Sequence, residues 1–131
     1  MPRFKYREKL AIWESNFGRS DGWILEVDGH PTAVLDDNEY YDMFWDSYRV
    51  SLLPESKYTL DEVFTMEFWC KRSLVYRSKA TDITTRQAVI SSGEAFPKPG
   101  RVVLRGLYIS IGMPNVIDQC ALAWRRYWTK R

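Results

Sequence analysis

The sequence predicts an α+β domain: a mostly antiparallel sheet of about five or six strands with a C-terminal helix packed on one face. Three observations lead there. Apolar and polar residues alternate in several short runs, the period of a half-buried strand. Gly, Pro and Asp-Gly signals separate those runs, so successive strands turn back on one another. After Asn115 the apolar spacing changes to three and four, the period of a helix.

With 131 residues and no repeat or linker-like tract, residues 1–131 read as a single globular domain. Apolar side chains make up 45% of the chain, and six Trp, eight Tyr and six Phe supply large units of buried area. No apolar run approaches the about 20 residues of a membrane span or the about 7–15 of a signal segment. Cys70 and Cys120 are 50 positions apart with no ligand-spaced partner, so they read as buried free thiols in a cytoplasmic protein without membrane association.

The first strands are 23–27 and 32–35, joined across Asp28-Gly29-His30-Pro31. Pro31 cannot donate a ladder hydrogen bond, which favours a four-residue loop over a two-residue Asp-Gly turn. Either register places Trp23, Leu25 and Val27 with Thr32 and Val34, and Ile24 and Glu26 with Ala33 and Leu35. Residues 36–42 are polar and acidic, and read as a solvated segment. In the next strand, ended near Pro54, Tyr48, Val50 and Leu52 alternate against Ser47, Arg49 and Ser51.

Thr59 and Glu62 fit a capping box that opens a short helical turn. Phe64, Met66, Phe68 and Cys70 then alternate, predicting a long strand to about Arg77. Residues 84–90 form another strand candidate, and 93–100 a loop with two prolines. Residues 101–111 show the β pattern on both faces, as an interior strand does. The final helix covers 115–128, with Asn115 as N-cap and Asp118 in its first turn. Its stripe of Val116, Ile117, Cys120, Ala121, Trp124, Tyr127 and Trp128 is expected to face inward.

A net charge of +2 conceals segregation. Residues 1–20 hold five basic and two acidic side chains, 21–62 hold two and eleven, and 63–131 hold twelve and four. Folding either lays the acidic segment beside basic strands, which neutralises it, or leaves it as a surface for a partner.

No catalytic centre is readable. The single histidine, His30, lies in the hairpin loop, where a solvated role fits better than a nucleophilic triad. Phosphate-cradling and nucleophile-elbow motifs are absent. Asp36, Asp37, Glu39, Asp42 and Asp46 gather carboxylates, yet a calcium loop counted from Asp36 would need Gly at Tyr41 and Glu at Ser47. No metal or cofactor is expected, and a non-catalytic role is favoured over an enzyme.

The leading functional expectation is therefore a protein-interaction module that uses an acidic and aromatic surface over 36–48: Asp36, Asp37, Glu39, Asp42 and Trp45. Its partner would be another protein. The alternatives are a nucleic-acid surface built from Lys71, Arg72, Arg101, Arg105, Arg125 and Arg126, or a small enzyme without a motif.

Overall fold

The computed structural model describes residues 4–16 and 22–129, without the side chains of Arg126, Trp128 and Thr129. The chain runs α1 (Tyr6–Asn16), β1 (Trp23–Val27), β2 (His30–Asp42), β3 (Trp45–Leu52), α2 (Leu60–Val63) and α3 (Met66–Lys71). It continues with β4 (Leu74–Ser78), β5 (Thr84–Thr85), β6 (Val89–Ile90), β7 (Arg101–Arg105) and α4 (Val116–Thr129). The strands form one sheet of order β5-β4-β1-β2-β3-β7-β6 in which every neighbouring pair is antiparallel. The α+β class is as the sequence predicts. The strand number is seven, because 84–90 is two short strands.

Those two strands reveal the shape. β5 and β6 lie at opposite edges of the sheet, yet only residues 86–88 separate them. Four residue steps reach about 14 Å, whereas seven flat strands would hold the edges about 29 Å apart. The sheet therefore curls until its edges nearly meet. Trp23, Leu25, Val27, Ala33, Leu35, Tyr48, Val50, Tyr76, Val102 and Leu104 belong to its buried core, joined by Ile12 of α1 and by Val63, Phe68 and Trp69 of α2 and α3. Among the described residues, no helix is long and apolar enough to cross a membrane.

The first hairpin departs from the expected pairing. Asp28 and Gly29 both take positive φ, 50° and 85°, and Val27 pairs with His30, so the loop is the two-residue turn and not the longer one. A bulge opposite Leu25 and Glu26 then adds Thr32 to β2, which pairs Leu25 with Ala33 and Trp23 with Leu35. One extra residue exchanges the faces. Ala33 and Leu35, expected on the reverse, join the core.

Residues 60–78 differ as well. The Thr59 capping box forms as expected, but Thr65 caps a second helix by accepting from the Phe68 amide. A strand would send Phe68 and Trp69 to opposite faces; helix α3 buries both, and Trp69 Nε1 donates to the Val63 carbonyl at 2.8 Å. The expected long strand shrinks to Leu74–Ser78.

The predicted strand 101–111 ends at Arg105, where Gly106 turns with φ 82°. Beyond it, Asn16 of α1 replaces a neighbouring strand: its side chain donates to the Ile109 carbonyl at 2.9 Å and accepts from the Ile109 amide at 3.0 Å.

Helix α4 begins with a reciprocal cap. Asn115 Oδ1 accepts from the Asp118 amide at 2.8 Å, and Asp118 Oδ2 from the Asn115 amide at 3.0 Å. α4 reaches the sheet through α1. Tyr6 meets Asp118, Leu10 and Trp13 pack with Leu122, and Glu14 lies 3.2 Å from Arg125, so the two helices run in parallel. The face turned to α1 is therefore 118, 122 and 125. Val116, Ile117, Cys120, Trp124 and Tyr127, expected inward, are exposed, Trp124 at 62%. The two thiols are likewise exposed, not buried: Cys70 follows the buried pair on α3, and Cys120 shares the outer face of α4.

Candidate binding site at the β2–β3 hairpin

The acidic segment does not form a loop. It extends β2 to Asp42, paired with β3 across two irregularities, one between Asp36 and Glu39. At that bulge Asp37 takes φ 51°, and both its carbonyl and its carboxylate receive the Arg101 guanidinium. Arg101 is buried. Its Nε donates to Ser47 Oγ at 2.6 Å, its Nη1 to Asp37 Oδ2 at 2.9 Å and its Nη2 to the Ser47 carbonyl at 3.0 Å, with Glu39 Oε2 3.9 Å away. A bidentate pair joins Arg49 to Asp36, at 2.8 and 3.0 Å.

The five residues singled out from the sequence thus fall into two groups. Asp36, Asp37 and Glu39 face cations at the base of the hairpin. Asp42 and Trp45 flank its turn, where Asp42 Oδ1 accepts from the Met43 amide at 2.7 Å and Trp45 lies under the Arg105 guanidinium, 5.0 Å from the ring centre.

Three large apolar side chains of the hairpin are strongly exposed. Tyr40 is 77% exposed, Met43 66% and Phe44 75%. Phe44 is held at φ 67°, a conformation bulky side chains rarely adopt. The aromatic density of 40–48 signals a surplus of rings, but only the turn geometry shows which rings face outward.

Behind Phe44 lies a groove of about 450 Å³ bordered by Asp46, Tyr48, Gln87, Leu107 and Tyr108. Asp46 is half-buried, and desolvation raises its carboxyl above the usual range, opposed by a polar contact from Asn38. Burial also pushes up the Tyr48 phenol, with the Asp46 charge adding to the effect. Gln87 Nε2 donates to the Tyr108 carbonyl at 2.6 Å, which fixes its amide at the rim. Neither Asp46 nor Gln87 is distinguishable in the sequence from other surface polar residues.

The six basic residues of the alternative surface are dispersed. Lys71 lies 3.9 Å from Glu67, and Arg72 stacks over Tyr58 and Phe68. Arg101 and Arg105 share β7, but one is buried against Asp37 and the other covers Trp45. Arg125 pairs with Glu14 on α1, and the Arg126 side chain lies outside the described residues. His30 is exposed at the start of β2. Among the described residues, no three His, Cys, Asp or Glu side chains gather closely enough to hold a metal ion. The chain matches no protein-family model, no curated protein and no solved structure.

Proposed function

We propose that this protein is a non-catalytic interaction module that docks another protein through the tip of the β2–β3 hairpin. The observation that carries this reading is the exposure of Tyr40, Met43 and Phe44 together on a turn whose base is clamped by Arg49 and Arg101. A rigid mount lowers the ordering cost of association, and large exposed rings are the side chains that most often anchor interfaces. Asp36, Asp37 and Glu39 face Arg49 and Arg101, whereas Asp42 and Asp46, nearer the tip, have no ion pair among the described residues. Complementarity therefore favours a basic partner.

Dispersal of the cations over β7, α3 and α4, most of them facing an acid or a ring, weighs against the nucleic-acid alternative. Exposed free thiols at Cys70 and Cys120 fit a reducing, cytoplasmic setting. The test is a Tyr40→Ser/Phe44→Ser variant used as bait in affinity capture. It should keep the parent unfolding midpoint and lose the captured partner. Undiminished capture would overturn the reading.

A further inference from the structure

The groove behind Phe44 is bordered by a carboxylate that faces no cation among the described residues. No Lys, Arg or His among the described residues lies within ion-pair distance of Asp46, whereas Asp36, Asp37 and Glu26 each have an arginine. Arg105 borders the same groove. Its guanidinium, however, is stacked on Trp45, and successive strand residues project to opposite faces, which places it across β3 from Asp46. The side-chain neighbours of Asp46 that the structure shows are the Asn38 amide and the Tyr48 phenol, neither of them a cation. A partly desolvated carboxylate that borders a groove favours a cationic ligand over a neutral one there.

The surroundings select among cations. Phe44, at φ 67°, forms one border of the groove, and Tyr108, half-exposed, another. Strained backbone of this kind persists where the surrounding structure fixes it, and it concentrates at ligand contacts. Asp42 supplies part of that fixing by accepting the Met43 amide. An aromatic face beside a carboxylate suits a flat, multiply donating cation better than a compact, strongly hydrated ammonium. The groove volume, about 450 Å³, is ample for one long side chain.

We infer that the Asp46 groove is an anchor pocket for an arginine side chain of the protein partner, with its guanidinium on the Asp46 carboxylate and against the Phe44 ring. The inference rests on the hairpin reading above and supplies its specificity: Tyr40 and Met43 provide contact area, and the pocket fixes one basic residue.

Amide chemical shifts of the whole protein, followed while N-acetyl-arginine N-methylamide is added, test the pocket directly. Shifts should concentrate at Phe44, Asp46 and Tyr108, with a dissociation constant in the millimolar range, about 1–10 mM for one ion pair and one stacked ring. The blocked citrulline analogue, equal in shape but uncharged, should bind at least about tenfold more weakly, and the blocked lysine analogue several-fold more weakly. Asp46→Asn should lose about tenfold or more and Phe44→Ser about threefold. Equal binding of citrulline by the unaltered protein would overturn the pocket without requiring any variant to fold. So would the absence of shifts up to about 50 mM, or tighter binding of free arginine than of the blocked residue, which would indicate a small-metabolite site. Partner capture that still depends on Tyr40 and Phe44 while arginine does not bind would remove the pocket and leave the hairpin reading standing.

Discussion

Tyr6 Oη donates a 2.7 Å hydrogen bond to the Asp118 carboxylate across 112 positions of the chain, tying the first helix to the last. That bond, followed by the Asn115 backbone contact, holds the Asp118 carboxyl below its usual range, and it raises the Tyr6 phenol. Asp118 thus contributes stability that is present above its unfolded value of about 3.9 and is lost as pH falls through the lowered folded value. Tyr6 contributes stability that is present below about pH 10 and is lost as pH rises through its raised value. The α1–α4 contact is therefore firmest between those limits. Melting curves from pH 2 to 11 should show losses at both ends that are smaller in Tyr6→Phe; an unchanged profile in the variant would show that the bond does not link the helices.

Two ion pairs on the same hairpin should differ sharply in worth. Arg101 is buried among Asp37 and Ser47, so Arg101→Met leaves their polar groups without a donor and should cost about 3–5 kcal/mol. Arg49 is exposed beside Asp36, and Arg49→Met should cost less than about 1 kcal/mol. Urea midpoints of the two variants, compared with the parent, decide the ranking.

A similar contrast separates two tryptophans. Trp69 is buried with its indole bonded to Val63, and Trp69→Ala should cost about 3–5 kcal/mol. Trp124 is largely exposed and stacks on Tyr127, so Trp124→Ala should cost less than about 1 kcal/mol. Comparable losses in calorimetry would mean that the outer face of α4 is covered in solution.

Cys70 and Cys120 are both exposed, and a thiol reagent should titrate two groups without denaturant, at the rate of an open thiol. Reaction only after unfolding would place one or both inside the fold.

Pro31 points away from the two-residue turn that forms at Asp28-Gly29, but the capping box at Thr59, the N-cap at Asn115 and the span of α4 are legible because their signals are local. The added Thr32 is not: a bulge has little sequence signature, yet it reverses which of Val34 and Leu35 is buried. Residues 64–70 carry alternation and helical spacing at once, and only the adjacent burial of Phe68 and Trp69 decides between them. At the hairpin the acidic cluster is visible in the sequence, but its chief neutralising group, Arg101, lies 64 positions beyond Asp37. Asp46 differs from its neighbours only through desolvation, which composition does not record.

The curled sheet has a bearing on how the protein behaves when crowded. A strand at a sheet margin offers unpaired amides and carbonyls to other chains, and long, flat margins nucleate aggregates. Here both margins, β5 and β6, are two residues long, and they are drawn towards each other by residues 86–88. An incoming strand finds only a two-residue ladder at each of these outermost strands. The margin left open lies along β2 beyond Leu35, where β1 has ended, and the irregularities at 36–39 and 40–42 interrupt it, which makes the base of the aromatic hairpin a poor template for fibrils.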